Sequence, residues 1–270
     1  MLFIHWNLNP QIFATEWISL RYYSLLFALA FIGAYLVLKK IFITEHIDLK
    51  LLDRLFLYVF VGTLLGARLG DCFFYDWGYY KNHIAEIILP FTYANGKFQI
   101  TGYTGLASHG GAIGILIAVF IYCKVYKQSF LFIVDRLVIA VALAGTFIRI
   151  GNFFNSEIIG KPSTLPWAII FERVDNVPRH PAQLYESACY LIIFFVLMWL
   201  YKKYKSTSGL LFGWFLILVF SCRFLLEFIK ENQESFESSM MINMGQLLSI
   251  PFIITGIILL LFRKRFHQHS

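Results

Sequence analysis

Four apolar runs of this 270-residue chain carry an arginine at or near one end: Arg21, Arg68, Arg149 and Arg223. An arginine at the centre of a membrane span costs about 2.5–3.5 kcal/mol, so such residues are usually paired, extended to the membrane surface or functional. A guanidinium group offers phosphate a planar fork of N–H donors. The four arginines therefore indicate a site for an anionic headgroup. The alternative for each is a side chain that only extends to the membrane surface.

Two further ionisable residues, His109 and Glu227, are predicted at the same depth as these arginines. Arg223 and Glu227 are four residues apart and so are neighbours on one helix face. They form either a private ion pair or part of a ligand site. Gly110 and Gly111 follow His109 and leave space for a ligand beside its imidazole. The alternative is a packed, hydrogen-bonded histidine, and both alternatives stay open.

The four cysteines do not indicate a metal site. All of them fall in apolar runs: Cys72, Cys123, Cys189 and Cys222. They show no Cys-x-x-Cys spacing, and the chain has no His-x-x-His or Cys-His cluster, so neither a disulfide framework nor a zinc site is indicated. We expect them to be small buried apolar residues. We also expect no metal and no organic cofactor.

The elements that position these residues are predicted to be membrane-spanning helices. The chain is 59% hydrophobic and 14% charged, whereas soluble domains have about 45–50% apolar and about 25% charged residues. A helix needs about 20 apolar residues to cross a bilayer. The runs that approach this length are 19–42, 53–75, 105–126, 131–154, 184–203, 209–230 and 243–262. We therefore predict an all-α integral membrane protein of about seven transmembrane helices, forming a single polytopic domain over residues 1–270.

The basic residues predict the orientation of this domain, because cytoplasmic loops carry an excess of Lys and Arg. One side of the predicted membrane holds twelve: Lys39, Lys40, Lys50, Arg54, Lys124, Lys127, Lys202, Lys203, Lys205, Arg263, Lys264 and Arg265. The other side holds six: Lys81, Lys97, Lys161, Arg173, Arg179 and Lys230. This bias places the N-terminus outside and the C-terminus in the cytoplasm. The long connections 76–104 and 155–183 are then interfacial or extracytoplasmic.

Small residues predict where two helices pack closely. Gly62, Gly66 and Gly70 are spaced by four residues and share one helix face, and Gly110 and Gly114 repeat that spacing. Faces of small residues let helix backbones approach each other in a membrane.

The run RIGNFFNSEIIG at 149–160 resembles the signature of the bacterial phosphatidylglycerol–prolipoprotein diacylglyceryl transferase family. The matching residues are Arg149, Gly151, Asn152, Asn155, Glu157 and Gly160. Further blocks match in order along nearly the whole chain: RYYSL at 21–25, GARLGDCFFY at 66–75, ASHGGAIG at 107–114, RHPAQLYE at 179–186, RFLLEF at 223–228 and MGQLLSIP at 244–251. Four residues before Arg223 the family commonly carries a tyrosine, but this chain has Val219. Any role of that phenol is absent here or belongs to another residue, with Tyr22 and Tyr23 as candidates.

The resemblance implies that the diacylglyceryl group of phosphatidylglycerol is transferred to the lipobox cysteine of a prolipoprotein. A thioether forms and glycerol 1-phosphate is released. The implied location is the bacterial cytoplasmic (inner) membrane, with the active site toward the outer leaflet. The implied partners are phosphatidylglycerol, the lipobox region of the prolipoprotein and membrane lipids. The net charge of +7 is explained by membrane topology, so no nucleic-acid partner is expected.

On this resemblance we assign catalysis to His109, Arg149 and Arg223. The two arginines are expected to bind the headgroup and the leaving phosphate, whose growing charge they can stabilise. The acceptor thiol has a free pKa near 8.5, so His109 is expected to act as its general base or to position it by a hydrogen bond. The expected substrate-binding residues are Tyr23, Arg68, Asn152, Asn155, Glu157, Gly160 and Glu227.

A membrane transporter of an anionic lipid or a small anion is the alternative function, because ionisable residues inside a membrane also mark substrate pathways. It predicts charges in mid-bilayer and interrupted helices at paired positions. The charges of this chain instead gather at one predicted face, which favours the enzyme.

Overall fold

A computed structural model describes residues 3–14, 19–88, 91–94, 97–100, 107–204, 207–232 and 240–266. Within these ranges the α-helices are α1 (Tyr22–Thr44), α2 (Leu49–Phe74), α3 (Trp77–Tyr80), α4 (Ile84–Ile88), α5 (Ser108–Val125), α6 (Phe130–Asn155), α7 (Ala182–Tyr204), α8 (Leu210–Leu226) and α9 (Met244–Phe266). A 3₁₀ turn over Glu227–Ile229 continues α8.

Six helices of the described ranges are long and apolar enough to cross a membrane: Tyr22–Thr44, Leu49–Phe74, Phe130–Asn155, Ala182–Tyr204, Leu210–Ile229 and Met244–Phe262. They coincide with six of the seven predicted runs. The seventh run is also helical, but its apolar part, Gly110–Val125, is shorter. The prediction of a helical membrane protein is thus confirmed for six spans and one shorter apolar helix. The side on which each terminus lies stays a prediction.

Short β-strands lie before α1 and in the connections between helices, and the all-α prediction missed them. The strands are β1 (Ile4–Trp6), β2 (Gln11–Ala14), β3 (Ser19–Arg21), β4 (Phe91–Ala94), β5 (Lys97–Ile100), β6 (Ile169–Phe171) and β7 (Pro178–Arg179). One sheet has the order β1-β6-β7, with β1 parallel and β7 antiparallel to β6. The pairs β2–β3 and β4–β5 are antiparallel. Each strand has only two to four residues, too few for an alternating apolar pattern to be recognised.

The chain divides into two compact units. The first comprises Met1–Ile41 and Val134–Ser270, and the second comprises Phe42–Ile133. The single polytopic domain over residues 1–270 stays a prediction.

The second unit is built on the contact between α2 and α5, and the glycine faces noted in the sequence lie in this contact. A Cβ added to Gly66 would lie 2.7 Å from Cα of Gly114, and one added to Gly70 would lie 2.6 Å from Cα of Gly110. Real Cβ atoms do not approach so closely, so any larger residue would push these backbones apart.

In the first unit, a buried carboxylate on α6 fixes the start of α8. Asp135 is 1% exposed and accepts hydrogen bonds from the backbone N–H groups of Gly209, at 2.7 Å, and Phe212, at 2.8 Å. A carboxylate satisfies the free N–H groups of a helix N-terminus and complements its dipole. The contact therefore positions α8 on α6, the two helices that carry Arg223 and Arg149.

Candidate active site

Arg149 lies near the end of α6, where three side chains surround its guanidinium group. Its Nε is 2.9 Å from Oε2 of the fully buried Glu186. Its Nη1 donates to Oδ1 of Asn152 over 3.5 Å, and its Cζ is 6.0 Å from the centroid of the Tyr190 ring. Only 15% of the Arg149 side chain is exposed. Arg149 is therefore held by protein groups and does not extend alone to the membrane surface.

A chain of ion pairs continues from Glu186 to Arg223. Nζ of Lys230 is 3.5 Å from Oε1 of Glu186 and 2.6 Å from Oε1 of Glu227. The same Glu227 oxygen is 3.8 Å from Nε of Arg223. The Arg223–Glu227 ion pair considered from the sequence is therefore present, but Glu227 shares it with Lys230 and is closer to the lysine. Because buried charges need partners, the chain of pairs ties the two arginines together.

The segment after α6 folds around the carboxylate of Glu157. Asn152 donates from Nδ2 to Oε2 of Glu157 at 3.2 Å, and Asn155 donates from Nδ2 to Oε1 at 3.0 Å. The backbone carbonyl of Glu157 accepts from Nε2 of Gln183 at 2.5 Å. Asn152 therefore links Glu157 to Arg149, and these signature residues form one hydrogen-bonded network.

Gly160 brings the segment after α6 against the segment after α8. Its backbone N–H donates to the His180 carbonyl at 3.0 Å, and it forms an antiparallel bridge with Lys230. A Cβ at this position would lie 2.5 Å from the Cβ of His180 and 3.0 Å from the carbonyl oxygen of Ile229. Only glycine permits this approach, so Gly160 helps to place Lys230 in the cluster.

Arg179 links the segment after α6 to the segment after α8, outside the spanning helices. It binds Asp175 through two guanidinium nitrogens and donates to the Gly160 carbonyl at 3.3 Å. Its Nη1 is also 3.4 Å from a carboxylate oxygen of Glu231. The hydrogen bond from Arg179 lowers the pKa of the Asp175 carboxyl below its ordinary value, because it stabilises the charged form.

Tyr23 lies beside the signature segment, and its binding of substrate stays a prediction. Its ring fills the space over Gly151, where an added Cβ would lie 2.8 Å from Tyr23 Cδ2. Its hydroxyl interacts electrostatically with Glu157 and Arg149. Tyr22, the other candidate phenol, stacks instead on Phe154 with ring centroids 4.8 Å apart.

His109 and Arg68 belong to the second unit. His109 lies in the first turn of α5, and its side chain is outside the described residues, so its catalytic role stays a prediction. Arg68 is 5% exposed and donates to the backbone carbonyls of Glu86, at 2.7 Å, and Ile87, at 3.3 Å. These bonds give Arg68 a structural role in holding α4, and its binding of substrate stays a prediction.

The cysteines are all free. Cys72 and Cys123 are buried, as predicted, whereas Cys189 and Cys222 are only partly buried. The latter two lie on α7 and α8 and interact electrostatically with each other. In the described ranges, no group of three or more His, Cys, Asp and Glu side chains has the geometry to hold a metal ion.

Three residues of this cluster were not predicted from the sequence: Glu186, Tyr190 and Lys230. Glu186 and Tyr190 lie one turn apart on α7, a spacing that places both on one helix face. Glu186 ends a block that matches the family, so a signal for it existed. Lys230 was counted as a loop charge, but it is 1% exposed. Excluding it from the loops leaves the predicted charge bias in the same direction.

The spanning helices and the buried cluster of arginine, lysine and glutamate define an integral membrane protein with a polar site at the end of its helices. The chain belongs to the prolipoprotein diacylglyceryl transferase family, whose family model matches residues 10–262.

Several relatives are similar over nearly the full length. A phosphatidylglycerol–prolipoprotein diacylglyceryl transferase of Bacteroides fragilis is 49% identical over 265 residues, which cover 97% of this chain and 96% of the relative. The corresponding protein of Chloroherpeton thalassium is 43% identical, with 96% and 93% covered. That of Nitrosospira multiformis is 35% identical, with 98% and 89% covered.

Proposed function

We propose that this chain transfers the diacylglyceryl group of phosphatidylglycerol to the lipobox cysteine of prolipoproteins. Its relatives carry the name of this activity and match nearly the whole chain. The matched region contains all of α6, α7 and α8, and therefore the Arg149–Arg223 cluster. Membership of this family gives no support to the alternative of a transporter.

The observation that supports phosphate binding is that the two arginines differ in their hydrogen-bond partners. Arg149 is fixed by Glu186, whereas Nε of Arg223 is buried with no hydrogen-bond partner among the described residues. Both guanidinium groups interact electrostatically with the Tyr190 hydroxyl, which supports a shared site. A fixed guanidinium beside one with a free donor supports binding of a phosphate group.

The reaction is a displacement at carbon. The acceptor thiol loses its proton, and its sulfur forms a bond to the terminal glyceryl carbon of the diacylglyceryl group. The bond between that carbon and the phosphate oxygen breaks, and glycerol 1-phosphate leaves with the electron pair. Arg149 and Arg223 stabilise the charge that grows on the phosphate. His109 accepts the thiol proton or positions the thiol.

We place this reaction in the bacterial inner membrane, with the site toward the outer leaflet. The bias of Lys and Arg supports this orientation, and so does the position of Arg149 and Arg223 at one end of their helices. A reporter that works only outside the cytoplasm should be active when fused after Lys97 or Pro178. It should be inactive after Lys127 or Lys205, and the reverse pattern would overturn the orientation.

Reconstitution of the purified protein tests the activity directly. Vesicles that contain phosphatidylglycerol and a lipobox peptide should yield a peptide whose mass has increased by one diacylglyceryl group. Vesicles of phosphatidylcholine, or a peptide with serine in place of the lipobox cysteine, should yield none. Absence of product with phosphatidylglycerol and the cysteine peptide would reject the proposed function.

A further inference from the structure

Two amide side chains next to Glu157 use only part of their hydrogen-bonding capacity. Asn155 donates from Nδ2 to Oε1 of Glu157 at 3.0 Å, and Gln183 donates from Nε2 to the backbone carbonyl of Glu157 at 2.5 Å. Oδ1 of Asn155 and Oε1 of Gln183 are both buried, and neither has a hydrogen-bond partner in the part of the chain that the structure describes. Buried polar atoms are nearly always paired, so these two oxygens indicate an acceptor site for a ligand.

The orientation of both amides follows from their partners. An ionised carboxylate and a backbone carbonyl can only accept hydrogen bonds. The amide nitrogens of Asn155 and Gln183 must therefore face Glu157, because exchanging the nitrogen and oxygen of either amide would bring two acceptors together. The two remaining oxygens can be satisfied only by a hydrogen-bond donor.

These two acceptors adjoin the arginine that is proposed to hold the phosphate. Asn152 donates to the other carboxylate oxygen of Glu157 at 3.2 Å and accepts from Arg149. On α7, Glu186 lies three residues after Gln183 and therefore on the same helix face, and its Oε2 is 2.9 Å from Nε of Arg149. Glu157 itself is exposed, so a ligand can approach this network from outside the protein.

The charges of the site favour a neutral donor over a cationic one. Arg149 and Lys230 are positive and belong to one group of ion pairs, so they would repel an ammonium group on a ligand. A hydroxyl group donates a hydrogen bond without adding charge. The headgroup of phosphatidylglycerol carries two hydroxyl groups, on the two carbons that follow the one attached to phosphate. A phosphate at Arg149 therefore brings two donors to a site with two free acceptors.

We propose that Gln183 and Asn155 accept hydrogen bonds from the headgroup hydroxyls of phosphatidylglycerol and so determine which phospholipid the site binds. This inference rests on the proposed function. The headgroup glycerol leaves together with the phosphate, so its hydroxyls are held in the bound lipid and in the transition state alike. Contacts of this kind lower KM and leave kcat unchanged.

The test compares phosphatidylglycerol with phosphatidylpropanol, which has the same phosphate charge and the same number of headgroup carbons but no headgroup hydroxyl. In vesicles diluted with phosphatidylcholine, phosphatidylglycerol is the substrate and phosphatidylpropanol is added as its competitor. The inhibition constant of phosphatidylpropanol should exceed KM for phosphatidylglycerol at least about tenfold in the wild-type protein, because a site built for hydroxyl groups leaves its acceptors unpaired when they are missing.

Gln183→Met keeps the length of the side chain and removes the acceptor oxygen. KM for phosphatidylglycerol should rise about 10–100-fold with kcat changed less than about threefold. The inhibition constant of phosphatidylpropanol should change less than about threefold, because this lipid has no hydroxyl to lose a partner. Asn155→Leu should give the same pattern. Gln128→Met is the matched control, since Gln128 also donates from Nε2 to a backbone carbonyl, that of Tyr126, and should have wild-type KM and kcat.

The outcomes separate this inference from the proposed function. If the wild-type protein forms no thioether product from phosphatidylglycerol, the proposed function fails. If it forms the product but binds both lipids equally well, or if Gln183→Met has the wild-type KM, the recognition of the hydroxyls alone is overturned. An equal loss of affinity for both lipids in Gln183→Met would also overturn it, because the amide would then support the fold of the site and not bind the hydroxyls.

Discussion

Lys230 donates a 2.6 Å hydrogen bond to Glu227, and its side chain is 1% exposed. The same ammonium is 3.5 Å from Glu186, so one lysine contacts both carboxylates that pair with the arginines of the site. Two buried carboxylates without this lysine would repel each other and lose part of their charge.

We therefore expect Lys230→Met to be strongly destabilising. Removal of one partner from a buried ion pair typically costs about 3–5 kcal/mol, because the other charge stays buried without compensation. Lys230→Arg keeps the charge and should retain most of the stability. Thermal unfolding in detergent measures the effect, with Lys202→Met on the exposed end of α7 as control. Equal unfolding temperatures for Lys230→Met and wild type would show that this pair does not hold the site.

The burial of Lys230 could not be predicted from the sequence, unlike the spanning helices. Apolar length predicted the spanning helices, because each span must be long enough to cross the bilayer whatever its partners are. Glycine spacing predicted close helix packing for a similar local reason, but not which two helices make the contact. Lys230, however, follows an apolar run like any interfacial lysine, and its partner Glu186 is 44 residues away. Only the fold brings the two together.

The signature residues were predictable in identity but not in arrangement. Arg149, Asn152 and Glu157 were selected from the sequence, and they form one network. Their mutual hydrogen bonds follow from the turn after α6, where Ser156 and Ile158 adopt positive φ angles of 57° and 56°. Such angles are uncommon for residues other than glycine, and no sequence pattern predicted them.

Arg149→Lys tests whether the phosphate is held by a planar fork. Lysine keeps the positive charge but cannot bind Glu186, Asn152 and a phosphate in fixed directions at once. We expect kcat to fall on the order of 10²–10³-fold, as for loss of one strong electrostatic donor, with a smaller change in KM.

The exposed Arg54 on α2 offers a matched control for this change of arginine to lysine. Arg54→Lys should have wild-type turnover. Nearly full activity in Arg149→Lys would remove the reason for placing the phosphate at this arginine.

Gly160→Ala should damage the junction that places Lys230. The new Cβ would meet the Cβ and carbonyl oxygen of His180 at 2.5 Å, so the backbone of one segment must move. Such overpacking typically costs about 1–3 kcal/mol. Thermal unfolding and turnover of the variant should both decrease.

Gly78→Ala is the comparison for this change, because a Cβ at Gly78 has nothing within 4 Å. Its stability and turnover should match the wild type. If Gly160→Ala behaves in the same way, the close approach of the two segments is not required for the site.

The final prediction concerns His109 and uses the pH dependence of kcat/KM. An unperturbed histidine has a pKa near 6.5 and accepts a proton only when neutral, so a histidine base makes kcat/KM fall as the pH falls below that value. In His109→Gln this acidic limb should disappear and turnover should be low at every pH, because glutamine can donate and accept hydrogen bonds but cannot take up the proton. The assay with phosphatidylglycerol vesicles and the lipobox peptide, measured from pH 5 to 8, separates the two roles left open by the sequence. An acidic limb that persists in His109→Gln with nearly normal turnover would assign the proton to another group and leave His109 to position the thiol.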